Sequence, residues 1–218
     1  MSTPVGQKKK ADVKVVILGD AGVGKTTFIR RYVERQFTEN VSTVGAAFIM
    51  KQWANRHIAI WDTAGEERFS GLSSFYCRDA SAAIIAYDIT DRRTFELLQE
   101  RYLPLLEAAK EDCLLCVTAM KQDLLTDSNR AVPQEEAERF ALQMNANRYR
   151  DTRNAPRRKP YFETSALSGQ NVDEVFEFIF TTLFGRQGNS GNPAPRKGVI
   201  NVDGSGGSGG RQSTGGCC

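Results

Sequence analysis

The segment Gly19-Asp20-Ala21-Gly22-Val23-Gly24-Lys25-Thr26 has the spacing G-x-x-x-x-G-K-T, and residues of these types at that spacing can hold phosphate. A tight loop with few side chains lets successive backbone N–H groups point at anionic oxygens, and a helix beginning at Lys25 adds its positive end. Lys25 can reach β- and γ-phosphates and steady charge as a phosphoryl group leaves. Thr26 offers a hydroxyl to Mg²⁺. Asp20, Ala21, Gly22, Val23, Gly24, Lys25, Thr26 and Thr27 are the residues so marked for phosphate. The apolar run Val13–Leu18 before the loop and the helix-like run Thr27–Arg35 after it supply the context that the motif needs. A plain glycine turn would not require Lys and Thr together.

Two further groups could complete a nucleotide site. Trp61-Asp62-Thr63-Ala64-Gly65 closes an apolar run. An Asp at a strand end beside a phosphate loop can hold Mg²⁺ through water, and Gly65 lets its N–H approach a γ-phosphate. Thr43 could add a second hydroxyl to the metal. Loops that touch a γ-phosphate and its metal are ordered by triphosphate and released by hydrolysis, so the spacing implies a switch. Lys121-Gln122-Asp123 follows a buried run. A carboxylate there can accept from the N1–H and N2–H₂ of guanine, whereas adenine has no such paired donors. In Glu163-Thr164-Ser165-Ala166, a backbone N–H can meet the guanine O6.

Elements must carry these residues to one place. Val13–Leu18, Ala46–Gln52, His57–Trp61, Ala82–Tyr87, Leu114–Met120 and Tyr161–Thr164 read as strands, the second and third joined by a short turn at Asn55. Helical periodicity appears at Thr94–Lys110, Gln134–Met144 and Val172–Phe184, and more weakly at Phe69–Cys77. Pro133 suits a first helical position, and Pro104 is expected to kink its helix. Buried strands alternating with helices predict an α/β fold, a doubly wound sheet that binds ligands at the carboxyl ends of its strands.

Composition narrows the function. The 218 residues fit one domain with a tail, and the net charge is +3. From Arg186 onward four basic residues (Arg186, Arg196, Lys197, Arg211) stand against one acid, Asp203, so the tail carries the +3 and the body is neutral. A neutral body argues against nucleic acid as a partner, and a mildly basic tail suits an anionic membrane surface. No apolar run reaches the roughly 18 residues of a membrane span. Residues 1–11 read as a disordered extension rather than a signal peptide, and Ser2 stands where myristoylation would need glycine. A cytosolic chain is expected. The stretch 145–159 holds six basic residues and Asp151. It reads as a solvated insertion, or as a contact for an acidic partner or lipid headgroup. Residues 186–218, rich in Gly and Ser, read as a flexible linker. Cys113-x-x-Cys116 could suggest redox or zinc chemistry, but it has no second pair nearby and lies in an apolar run, so both thiols read as core.

Taken together, GDAGVGKT, WDTAGEERF, K-x-D, ETSA and the terminal Cys217-Cys218 resemble a Rab-type small GTPase of the Ras superfamily, in a divergent form. The resemblance covers about residues 12–185 and the last two residues. It implies a P-loop NTPase three-layer sandwich, with a six-stranded, mostly parallel sheet flanked by about five helices. It implies GTP or GDP as ligand and Mg²⁺ as cofactor, with Thr26 and Thr43 on the metal and Asp62 through water. Around the base it implies Lys121, Asp123, Ser165, Ala166, Leu167 and Phe37. Phe48, Trp61 and Tyr76 occupy the positions of an aromatic patch that effectors read, although each alone could be an ordinary core aromatic. Cys217 and Cys218 match a geranylgeranylated pair, and two chains anchor where one does not. Effectors, an exchange factor, an activating protein and a chaperone for the prenylated chain are the implied partners of a monomer. Its expected place is the cytoplasmic face of an endomembrane (endosome, Golgi or related vesicles), in exchange with cytosol.

Departures from the family pattern bear on chemistry. Glu66 stands where the family has the Gln that orients the attacking water. Glu can accept from water but cannot donate, and at about 5 Å with an effective dielectric near 20 its repulsion from one phosphate charge is at most roughly 3 kcal/mol. Slow hydrolysis is expected. Met120 replaces the Asn of N-K-x-D, which weakens bracing of the base. Leu167 replaces a Lys over the base. The loop between Phe37 and Thr43 holds five residues, one fewer than usual. A second reading is a non-hydrolysing scaffold that holds GTP. A P-loop ATPase or small-molecule kinase is disfavoured by Asp123 and the absence of lid segments.

Overall fold

The computed structural model describes residues 11–38, 43, 45–65, 70–146, 148 and 158–185. The expectations placed on residues 1–10, Glu66, nearly all of the basic insertion, the tail and Cys217-Cys218 lie outside these residues.

Six strands form one sheet: β1 (Val13–Leu18), β2 (Ala46–Trp53), β3 (Arg56–Thr63), β4 (Ala82–Asp88), β5 (Leu114–Met120) and β6 (Tyr161–Glu163), in the order β2-β3-β1-β4-β5-β6. β2 runs antiparallel to β3 and the other pairs are parallel. The helices are α1 (Lys25–Glu34), α2 (Ser70–Cys77), α3 (Arg92–Leu97), α4 (Gln134–Ala146) and α5 (Val172–Gly185). This is the mostly parallel P-loop sandwich that the motifs imply.

Strand side chains alternate between two faces, and each face builds its own core. Val15 and Ile17 of β1, Ile84 of β4 and Cys116 of β5 join Phe28, Ile29 and Tyr32 of α1 and Val175, Phe176 and Ile179 of α5. Val16, Leu18, Ile85, Tyr87, Leu115 and Val117 pack on the other side with Cys77, Phe95, Leu98, Tyr102 and Ala141. Cys113 and Cys116 therefore belong to opposite layers, and burial pushes both thiols up to about 12. Neither is poised for redox or metal chemistry, and no group of potential metal-binding His, Cys, Asp and Glu stands together among the described residues. No helix among the described residues is long and apolar enough to cross a membrane.

The periodicity over Thr94–Lys110 does not make one helix. α3 begins earlier, at Arg92, because the Asp91 side chain accepts from the Arg93 N–H as its cap. It passes into a π-turn over Leu98–Tyr102, where the Leu103 N–H donates to the Leu98 carbonyl at 3.0 Å, and then into a 3₁₀ turn over Pro104–Ala108. Pro104 has no N–H and so cannot continue the ladder. The consequence reaches back beyond a simple kink. Pro133 stands just before α4 rather than as its first residue, and its carbonyl accepts the Ala137 N–H at 3.2 Å.

The β2–β3 hairpin is pinned at its turn. Trp53 stacks on Phe184 at 5.5 Å and tilts against Phe180 at 5.4 Å, and its indole N–H donates to Glu177 Oε2 at 3.0 Å. The Arg56 guanidinium lies over the Phe184 ring. The opposite end of the hairpin leads to Gly45 and to Thr63, beside the phosphate loop.

Candidate functional site

The loop after β1 turns back on itself where only glycine fits. At Gly19 (φ +149°) an added Cβ would stand 2.3 Å from the Ala86 carbonyl oxygen of β4. α1 then starts at Lys25, its first turn presenting amides without helical partners. Val23 is buried, which leaves its backbone as the part that can face a ligand, while Ala21 and Gly22 are exposed.

Lys25 is only 6% exposed. Its ammonium donates to the carbonyls of Gly19 at 2.7 Å and Asp20 at 2.8 Å. Burial pushes its pKa down to about 8, against the pull of the Asp62 and Asp20 carboxylates. A buried cation in this condition favours an anion beside it.

Three oxygens from three separate segments meet next to it. Thr26 Oγ1 lies 2.6 Å from Thr43 Oγ1 and donates to Asp62 Oδ2, also at 2.6 Å. Asp62 is 2% exposed, and its other oxygen, Oδ1, is buried with no hydrogen-bond partner. Burial raises the Asp62 pKa, opposed by the Thr26 bond and the Lys25 charge. Hard oxygens from two hydroxyls and a carboxylate, one of them orphaned, suit Mg²⁺ and the waters it keeps. Thr26, Thr43 and Asp62 are the residues that could hold it.

Gly65 lies directly against the phosphate loop. A Cβ there would stand 2.3 Å from the Ala21 nitrogen and 2.6 Å from the Asp20 carbonyl oxygen. Two residues that no motif singles out also reach this point. The Tyr102 hydroxyl is 3.3 Å from the Gly65 carbonyl oxygen and 3.5 Å from Asp20 Oδ1, and Arg101 Nη1 is 3.9 Å from the same carboxylate oxygen. Tyr102 is 82 residues from Asp20 in sequence, and no spacing rule joins them.

Beyond the carboxyl ends of β5 and β6, Ser165 Oγ donates to Asp123 Oδ1 at 2.5 Å, and the Gln122 N–H donates to the Thr164 carbonyl at 2.9 Å. The two loops expected at a purine are thus tied together. Lys121, in left-handed backbone (φ +63°), pairs with Asp88 at 2.7 Å. Burial raises the Asp88 pKa, but bonds from Lys121 and Thr90 outweigh it and hold the carboxyl below its ordinary value. Met120 is 3% exposed, and its Sδ would stand 3.9 Å from a Cβ on Gly24. An apolar side chain thus lies under the loop where the family places an amide. Phe37 and Leu167 are largely exposed at 42% and 52%.

Phe48, Trp61 and Tyr76 form a continuous row, with Phe48 and Trp61 edge-on at 5.2 Å and Trp61 and Tyr76 tilted at 5.6 Å. Phe48 is 51% exposed, and exposed Phe75 extends the row from Tyr76 at 5.9 Å.

With this geometry in place, similarity to known proteins becomes informative. A profile of the Ras family matches residues 14–184. The Ras-related protein Rab-20 of Homo sapiens is 41% identical over 197 residues, covering 79% of this chain and 84% of that protein. The putative ras-related protein Rab-5B of Dictyostelium discoideum is 37% identical over 188 residues, covering 84% and 81%. The Ras-related protein Rab-21 of Mus musculus is 33% identical over 219 residues, covering 94% and 90%. A phosphate loop on a doubly wound sheet, a family match across nearly all of that sheet and its helices, and relatives at this identity place the chain in the Ras family, as a divergent Rab-type small GTPase.

Proposed function

We propose that the protein is a GTP/GDP-regulated switch that is anchored to a membrane and recruits effectors in vesicular or endosomal traffic, with slow intrinsic hydrolysis. The observation that carries the reading is the convergence of Lys25, Thr26, Thr43, Asp62 and Gly65 at the phosphate loop. The loops bearing Asp123 and Ser165 are tied to each other beyond the ends of β5 and β6. Bound Mg²⁺ would neutralise charge on β- and γ-phosphate oxygens. Lys25 and the loop amides would hold the phosphates, Gly65 would offer its N–H to the γ-phosphate, and Asp123 would select guanine. Water would attack in line, with Glu66 a poor substitute for Gln in orienting it.

The row Phe48, Trp61 and Tyr76 would meet effectors. Prenyl groups on Cys217 and Cys218 would hold the chain on the cytoplasmic face of an endomembrane, and a prenyl-binding chaperone would return it to the cytosol. An exchange factor and an activating protein would drive the cycle of a monomer.

A second reading, a scaffold that holds GTP without hydrolysing it, is favoured by Glu66 and by Met120 beneath the phosphate loop. Single-turnover GTP hydrolysis by the parent and by Glu66→Gln, with the bound nucleotide identified chromatographically, tests both. A parent that hydrolyses GTP, with Glu66→Gln faster, supports the switch. Tight guanine-nucleotide binding with no hydrolysis by either supports the scaffold. Equal affinity for ATP and GTP would overturn the role given to Asp123.

A further inference from the structure

We propose that Tyr102, supported by Arg101, is a positioning residue that sets the preference of this site for triphosphate over diphosphate. The inference rests on the guanine-nucleotide reading above and deepens it.

The Gly65 backbone lies so close to the phosphate loop that a single methyl would collide with Ala21 and Asp20. Small shifts of Gly65 therefore change how its backbone would meet a third phosphate held by the loop. The Tyr102 hydroxyl reaches both segments, touching the Gly65 carbonyl at 3.3 Å and the Asp20 carboxylate at 3.5 Å. It does so from a buried position, with the residue only 4% exposed, so the ring cannot swing aside without opening the core around Leu98 and Leu106. Arg101 places its guanidinium 3.9 Å from the same carboxylate. There it offsets a negative charge that would otherwise oppose an incoming phosphate, and its cation is also among the charges felt by Lys25.

The backbone that carries the pair is unusual. Arg101 and Tyr102 end the π-turn Leu98–Tyr102, whose wider helix brings two adjacent side chains to one target. Such turns often accompany functional sites.

A group shifts preference between two ligands only through an interaction that one of them makes and the other does not. A diphosphate ends before Gly65, whereas a γ-phosphate would meet it. Holding Gly65 to the phosphate loop therefore acts on GTP and leaves GDP largely untouched.

The test uses the full chain and two probes, GDP and a non-hydrolysable GTP analogue, with affinities measured for the parent, Tyr102→Phe, Arg101→Gln and Arg101→Lys. Tyr102→Phe keeps the ring and removes one neutral hydrogen bond, so affinity for the analogue should fall roughly five-fold while that for GDP stays within about two-fold. Arg101→Gln should lower the same ratio, and Arg101→Lys should restore most of it. Melting temperatures of the GDP complexes should agree, which separates positioning from simple loss of structure. Equal weakening of both nucleotides, an unchanged ratio in Tyr102→Phe, or Arg101→Lys no better than Arg101→Gln would each overturn the proposal. A parent that binds neither guanine nucleotide would remove the underlying reading and this inference with it, whereas normal binding with an unmoved ratio would remove this inference alone.

Discussion

Replacing Lys25 by Met should remove the part of the pH dependence of stability that its buried ammonium produces. The folded chain lowers the Lys25 pKa from its ordinary 10.5 to about 8, through burial first. At about 1.4 kcal/mol per tenfold change in proton affinity, this corresponds to about 3 kcal/mol. The sign follows from proton counting. Between pH 8 and 10.5 the unfolded chain keeps the proton that the folded chain has released, so stability rises with pH across this window. Below it both states are protonated, and the cost of burying the charge is fully present.

Lys14 is also lowered by burial and contributes a slope of the same sign, so the informative quantity is the difference between parent and Lys25→Met. Urea unfolding of the nucleotide-free proteins on both sides of the window should show the parent gaining up to about 3 kcal/mol relative to Lys25→Met as pH rises. Saturating GDP should remove the same component from the parent, because phosphate beside the ammonium restores its affinity for the proton. Identical slopes in parent and variant, or a parent slope indifferent to GDP, would refute the assignment of Lys25 as a cation held in a low-dielectric site for an anion.

Two further substitutions separate the base side of the site from its metal side. Met120→Asn should slow GDP release by about 1–3 kcal/mol of barrier, or roughly five- to 150-fold. It should also lower the melting temperature, since a side chain 3% exposed becomes polar; fluorescent-nucleotide release and thermal unfolding check the two opposite signs. Asp62→Ala should weaken the dependence of nucleotide release on Mg²⁺, so that EDTA accelerates release from the variant by a smaller factor than from the parent.

The middle of the sheet was legible because β1, β4 and β5 are buried along nearly their whole length and separated by helices, so Val13–Leu18 and Leu114–Met120 are bounded by their own chemistry. The stretch after Asp91 was legible only in part. Its hydrophobic period continues through Pro104 even though its hydrogen bonds cannot, and periodicity does not record the missing N–H. The meeting of Thr26, Thr43 and Asp62 could be anticipated because Thr26 lies at the start of the helix after the phosphate loop, Thr43 lies in the loop before β2 and Asp62 lies near the end of β3, all at the edge of the sheet that the topology brings together. The approach of Arg101 and Tyr102 could not. It depends on the π-turn, and therefore on a backbone departure that residue types alone do not announce.

The pinned hairpin gives the molecule an optical property. The chain has two tryptophans, and both lie on this hairpin. Trp53 is stacked on the last helix at the turn, while Trp61 lies next to Asp62 and in contact with Phe48 and Tyr76. The two indoles thus form an internal sensor and reference. Emission from Trp61 should follow events at the metal-facing end, while Trp53, clamped between Phe180, Phe184 and Glu177, supplies a steady signal, so that removing either ring by substitution would isolate the other without an added dye.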